Sequence, residues 1–332
     1  MSRPDGYELP LPQAKSLARH RGDLSLNEYT LLTTEAASQL GRHAGGALWL
    51  DGLVSLPAET AAALATHEGA ITLDGVTELC DSAAAAFSRF CHGLSFDGLR
   101  AISDAAAEAL HGHEGALGLN GVRTLSARAA AALGRHNGSL WLNGLASLSG
   151  EVAAGLAQVR GQLALNGLRH LEYDAAIALV THQGDLMLDG LTSLADDVAV
   201  ALGGHRGMLS LAGLTSLTAA AAAGLAQRSR ALVLNGLDAL SADVAAALGR
   251  HEGFLYLNGL KSLTPAMAAA LAGHPGDLYL GGLATLPTDV AVALAGHAGR
   301  LHLTGLTSLP PASANALRLK AGLNLPEHVQ LA

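Results

Sequence analysis

Fourteen Leu-x-Leu triplets recur along the chain at a nearly constant spacing, and that spacing limits what the chain can fold into. Their second apolar residues are Leu26, Leu50, Leu73, Phe96, Leu119, Leu142, Leu165, Leu188, Leu211, Leu234, Leu257, Leu280, Leu303 and Leu325. The first interval is 24 residues, the last is 22, and every interval from Leu50 to Leu303 is 23. A unit this short cannot bury its own apolar face, so successive units must stack and share a continuous core. Each unit reads Gly-x-Leu-x-Leu-(Asn/Asp)-Gly-Leu-x-x-Leu-(Ser/Thr), then an Ala- and Leu-rich segment closing on His-x-Gly.

The halves of a unit have different periods. Leu-x-Leu has the two-residue period of a strand, with both leucines on one face. Asn/Asp-Gly predicts a turn in which glycine takes positive φ. Ser or Thr at positions 103, 126, 149, 218, 241 and 264 stands where a helix N-cap belongs, and Pro265 fits a first helical position. The Ala/Leu segment predicts a helix of about two to three turns, ended by the glycine of His-x-Gly. Stacking then yields an α/β, right-handed solenoid with a parallel sheet on one face and short helices on the other. The expected size is about 14 strand layers, a sheet on the order of 60 Å long. Residues 9–22 match only the helical half of a unit, with Leu17 and His20 standing where Leu64 and His67 stand later, and residues 1–23 are expected to form an N-terminal half-repeat cap. Residues 24–309 form the tandem array, and residues 310–332 a degenerate repeat and cap in which Pro326 discourages further pairing.

Composition bounds the function. Half the residues are hydrophobic, but only 3% are aromatic, so the core is Leu and Ala. Lys+Arg number 20 against Asp+Glu 28, a formal charge of −8, which argues against a nucleic-acid partner. No apolar run approaches the roughly 18–20 residues needed to span a membrane, and the first residues lack a signal-peptide pattern. Cys80 and Cys91 flank a predicted helix roughly 15 Å long, beyond the ~7 Å reach of a disulfide. The expectation is a cytoplasmic protein with no membrane partner.

The Leu-x-Leu triplets and the leucines that follow, as in Leu140-Trp-Leu142-Asn-Gly-Leu145-Ala-Ser-Leu148, resemble the leucine-rich-repeat superfamily, and its bacterial 23-residue classes most. The resemblance covers essentially the whole chain. It departs from the usual pattern in placing Asn or Asp directly after the strand's last leucine, as at Asn143 and Asp189. It implies a protein-interaction scaffold that uses the concave sheet.

Three rows of residues are candidates for function. His20, His43, His67, His113, His136, His182, His205, His251, His274 and His297 share one register, interrupted by Phe90, Val159 and Arg228. One histidine per layer does not converge tetrahedrally on zinc, so these rings are expected to bond helix carbonyls or the next layer. Asn27, Asp51, Asp74, Asp97, Asn120, Asn143, Asn166, Asp189, Asn235 and Asn258 form a second row. Six of these ten are neutral Asn, which suits a ladder bonding backbone groups rather than a calcium site. The third row is the middle residue of each triplet, which points to the outer sheet face. Both tryptophans and two of the five tyrosines fall in it. Trp49, Trp141, Met187, Tyr256, Tyr279 and His302, with Phe254 beside them, are the expected partner-binding residues, because Trp, Tyr and Met are enriched where partners bind. Arg100, Arg123 and Arg169 share a row after the turn, read as solvated surface. Every loop has one length, and no phosphate loop, GxGxxG, GxSxG or HExxH motif occurs. The chain is therefore expected to be no enzyme and to need no metal or cofactor. Its partner is expected to be another protein, with self-association open. A small-molecule or glycan receptor using the aromatic row, or a metal- or pH-responsive array using the histidine row, stays open as well.

Overall fold

The computed structural model describes residues 6–227 and 230–329. Arg228 and the outermost parts of the expected caps lie outside the described residues. The chain divides into two compact units, residues 1–146 with 151–167, and residues 147–150 with 168–332. In the first unit the elements run α1 (Leu11–Leu17), β1 (Leu24–Ser25), α2 (Thr34–Leu40), β2 (Leu48–Trp49), α3 (Ala58–Leu64), β3 (Ile71–Thr72), α4 (Asp81–Ala86), β4 (Leu94–Ser95), α5 (Asp104–Leu110), β5 (Leu117–Gly118), α6 (Ala127–Leu133), β6 (Leu140–Trp141), α7 (Gly150–Leu156) and β7 (Leu163–Ala164). The second continues α8 (Tyr173–Leu179), β8 (Leu186–Met187), α9 (Asp196–Gly203), β9 (Leu209–Ser210), α10 (Ala219–Leu225), β10 (Leu232–Val233), α11 (Ala242–Leu248), β11 (Leu255–Tyr256), α12 (Pro265–Ala272), β12 (Leu278–Tyr279), α13 (Thr288–Ala295), β13 (Leu301–His302), α14 (Pro311–Leu317) and β14 (Leu323–Asn324). In each unit the strands lie parallel in chain order, with the first residues of the triplets in register. Ile71, the one isoleucine among them, pairs in the same way between Leu48 and Leu94.

Both leucines of each triplet turn inward. Leu140 and Leu142 are fully buried, as are Leu133 of the helix before and Leu156 of the helix after. Ser103, Ser126, Thr218, Ser241 and Thr264 cap their helices as expected, each accepting from the backbone N–H three residues on. Thr33 does the same for α2, and Pro265 opens α12. Ser126 has two roles: it accepts from Ala129 N at 2.9 Å and donates its hydroxyl to Asp104 of the preceding helix. Ser126→Ala should therefore cost about 1 kcal/mol or slightly more, read as a lowered urea midpoint at unchanged slope.

The glycines work differently from the sequence expectation. Among the described residues only Gly6, Gly22, Gly46 and Gly322 have positive φ, so the turn glycines after Asn or Asp do not owe their place to left-handed backbone, and of the His-x-Gly glycines only Gly22 does. Layer contact explains them instead. A Cβ at Gly121 would lie 2.2 Å from Asp97 O and 2.4 Å from Leu99 O of the layer before. At Gly69 it would lie 2.0 Å from Gly46 O. α6 ends earlier than His-x-Gly, on the αR residue Gly134, and the backbone N–H of His136 then bonds Leu133 O at 2.9 Å.

The Asn/Asp row is the expected ladder. In the first unit each side chain from Asn27 to Asn143 accepts from the backbone N–H of its counterpart one layer on: Asp51 N to Asn27 Oδ1 at 2.9 Å, Asp97 N to Asp74 Oδ1 at 2.8 Å, and Asn166 N to Asn143 Oδ1 at 2.8 Å. In the second unit Asn258 N bonds Asn235 Oδ1 at 3.0 Å and Gly281 N bonds Asn258 Oδ1 at 2.8 Å. A second, sparser ladder runs just before the strands, where Asp185 Oδ1 accepts from Met208 N at 2.9 Å and Asp277 Oδ1 from Arg300 N at 3.0 Å.

Candidate functional site

The middle residue of a triplet leaves the sheet on the side opposite its two leucines, so register alone brings its neighbours together. β11, β12 and β13 pair with Tyr256 against Tyr279 and Tyr279 against His302. The three rings stack face to face, with centroids 4.1 Å and 4.0 Å apart and planes within 16° and 5°. Asn324 closes one end of the column, its Nδ2 lying 3.0 Å from His302 Nδ1. Stacking hides the ring faces and leaves the edges accessible, so all three residues are half-buried. Burial and the Tyr256 hydroxyl beside it push the Tyr279 phenol up to about 12, and burial lowers the His302 imidazole. Both rings are therefore neutral near pH 7, and the column is an amphipathic, uncharged surface.

Phe254 sits two residues before Tyr256, on the same side by the two-residue period, and is 49% exposed. Met187 lies on β8, three layers from Tyr256, or roughly 14 Å at the usual strand spacing. Between them the outer face carries Met208 and Val233, both half-buried. An open cleft of about 330 Å³ lies here, lined by Asp185, Met208, Arg230, Ala231, Glu252, Gly253 and Phe254. Met208 and Arg230 were outside the expected set. For Met208 the signal was present, since the residue two before each mid-triplet position shares its face.

Trp49 and Trp141 belong to the first unit, on β2 and β6, roughly 19 Å apart at four strand spacings. They form no common patch with each other. Trp49 is 39% exposed between Ser25 and Thr72, whereas Trp141 is half-buried between Gly118 and Ala164. Ala164 is only 3% exposed, so the row is less open than the alternation of the triplet suggests. Arg169 of the second unit donates to Gly190 O at 3.3 Å, and Arg123 N bonds Arg100 O at 3.1 Å.

The histidines go inside. His43, His67, His113, His136, His182, His205, His251, His274 and His297 are 0–3% exposed, while His20 is exposed. Their rings stack layer on layer, His113 on His136 at 5.5 Å and His251 on His274 at 5.6 Å. Phe90 takes a place in the same column, 3% exposed and stacked on His113 at 5.8 Å. The polar neighbours are backbone carbonyls: His67 Nε2 lies 3.1 Å from Gly46 O, and His113 Nε2 3.3 Å from Ala116 O. Stacked rings present faces to one another rather than lone pairs to a shared point. Among the described residues no three His, Cys, Asp or Glu side chains converge as metal ligands. Cys80 and Cys91 are free and exposed, and no described helix is long and apolar enough to cross a membrane.

No protein-family profile matches the chain, and no curated protein sequence matches it. Solved structures do. The Toll–Spatzle complex of Drosophila aligns over 97% of this chain and 49% of the matched chain, at 15% identity and a TM-score of 0.58. The TLR13–ssRNA13 complex aligns over 93% and 52%, at 17% identity and 0.55. An internalin, inlF of Listeria monocytogenes, aligns over 97% and 90%, at 12% identity and 0.51. The chain thus spans about half the length of the Toll and TLR13 matches.

Proposed function

We propose that this chain, which has the leucine-rich-repeat fold, is a non-enzymatic binding scaffold that docks a partner protein on the outer sheet face of its second unit. The observation that carries the reading is the Tyr256–Tyr279–His302 column, with Phe254, Met208 and Met187 on the same face. In a chain with only 3% aromatic residues, Phe254, Tyr256 and Tyr279 stand together here, none of them fully buried. Trp, Tyr and Met are the side chains that anchor protein interfaces. Trp49 and Trp141 act as two separate contacts on the first unit.

The fold alone does not choose between protein and nucleic acid, because one matched structure is a complex with Spatzle and another a complex with ssRNA. Charge favours protein. RNA binding draws on clustered cations, whereas this chain carries −8, and Arg230 and Arg300 are balanced by Glu252 and Asp277 near the rings. Uniform loop length supports a scaffold over an enzyme, and the free Cys80 and Cys91 support a reducing compartment such as the cytoplasm.

The test compares affinity capture by the intact protein with capture by a Tyr256→Asp, Tyr279→Asp variant shown by circular dichroism to be folded. A protein partner held by wild type and weakened at least roughly tenfold in the variant is the expected result. Equal capture by both overturns the assignment of the face. Carbohydrate in place of protein, detected by a ligand-dependent change in tryptophan fluorescence, overturns the partner class.

A further inference from the structure

Just before the ring column, the outer face of the second unit has a gap one side chain wide. β9, β10 and β11 pair as Leu209 with Leu232 and Leu232 with Leu255, so the preceding residues Met208, Ala231 and Phe254 stand one per layer on the outer face. Ala231 places a single methyl between a thioether and a phenyl ring. Those two walls are two layers apart, about 9.6 Å at the usual strand spacing. Two residues further along the strands, the same sheet stacks one ring per layer with centroids 4.1 Å and 4.0 Å apart. A flat group over Ala231 would stand one layer from each wall, the separation at which this face already stacks rings.

We propose that the cleft seats an aromatic side chain of the partner, inserted over Ala231 between Met208 and Phe254. The inference rests on the reading of this face as the docking surface and adds the chemistry of the anchor. Three lining groups select a ring over an aliphatic chain. The Met208 sulfur attracts aromatic edges and faces, the Phe254 ring stacks, and the exposed Arg230 guanidinium can cover a π-face. The volume of about 330 Å³ holds one such side chain. Asp185 is committed to Met208 N at 2.9 Å, whereas the exposed Glu252 at the rim offers an acceptor to a phenol O–H or indole N–H.

The intact protein labelled at its methionine methyl carbons reports directly on the seat, because its 4 methionines include Met187 and Met208 on this face and Met267 on α12. N-acetyl-tryptophanamide and N-acetyl-leucinamide serve as probes. The tryptophan probe should move the Met208 methyl upfield by ring current and saturate with a Kd on the order of millimolar, without moving Met267. The leucine probe should bind roughly threefold or more weakly. Ala231→Phe fills the seat from within: it should shift the resting Met208 methyl upfield and abolish the response to the probe. Equal binding of the two probes, silence at Met208, or a response unchanged in Ala231→Phe would each overturn the proposal. The docking face is judged separately by the tyrosine variants, which leave Ala231 intact.

Discussion

Gly121→Ala should destabilise the protein by about 3 kcal/mol, whereas Gly296→Ala should be nearly neutral. Both put one methyl on a glycine with ordinary negative φ, so backbone strain does not separate them. Space does. At Gly121 the new Cβ meets Asp97 O at 2.2 Å and Leu99 O at 2.4 Å, both backbone atoms of the neighbouring layer that move only if the layer moves. At Gly296 the nearest atom is Ala293 O at 3.6 Å, an ordinary contact at the end of α13. A backbone-to-backbone clash spreads along a stack because each layer's position sets the next. Urea midpoints at unchanged slope check the pair. Equal, small effects in the two variants would mean that layer separation is softer than the contacts imply.

The second large effect is acid lability from the buried imidazoles, and His136→Phe should remove its share. Burial, with the neighbouring His113, lowers His136 from 6.5 to about 4. Burial also lowers His43, His67, His113, His274 and His297. Besides the neighbouring rings of the column, such as His43 at His67 and His297 at His274, the charged and titratable groups near these rings are His20 and Asp23 at His43, His92 at His67 and His113, Glu114 at His113, and Lys320 at His297. A lowered folded value means that the unfolded chain binds more protons below pH ~6.5, so stability falls as pH falls. The contribution is intact above pH ~6.5 and is lost as pH drops toward about 4. For His136 alone that loss is about 3 kcal/mol. Phe is the informative replacement because Phe90 already occupies this column, buried and stacked on His113 at 5.8 Å. Urea midpoints of wild type and His136→Phe should converge as pH falls from ~6.5 to ~4.5 or cross in the variant's favour. Parallel pH curves for the two proteins would show that the ring does not titrate with unfolding.

The layers were legible because the 23-residue period repeats the same instructions: an alternating triplet, a cap and an Ala/Leu helix. Ser126 and Pro265 stand where their chemistry predicts, since capping depends on a few adjacent residues. The glycines misled because a small residue in Asn-Gly serves equally for a left-handed turn and for close contact. Only the position of the neighbouring carbonyls, a non-local fact, separates the two. The histidine column was visible as a register, but its burial was not, because whether a ring at the end of a helix turns inward depends on the space the layer before leaves. On the sheet face, Tyr256, Tyr279 and His302 stand in the row that alternation predicts and are stacked together. Met208 was missed by following only the middle of each triplet. Trp49 and Trp141 fall in the right row, but β2 and β6 are too far apart for the two to act as one patch.

The Asn/Asp ladder has a sense of direction. Asn120 offers its oxygen to Asn143 N, and Asn143 offers its own to Asn166 N, always forward along the chain. A side-chain change in one layer therefore unpairs the N–H of the layer after it and leaves its own N–H bonded to the layer before, so the damage of a single substitution falls on one side of that layer only.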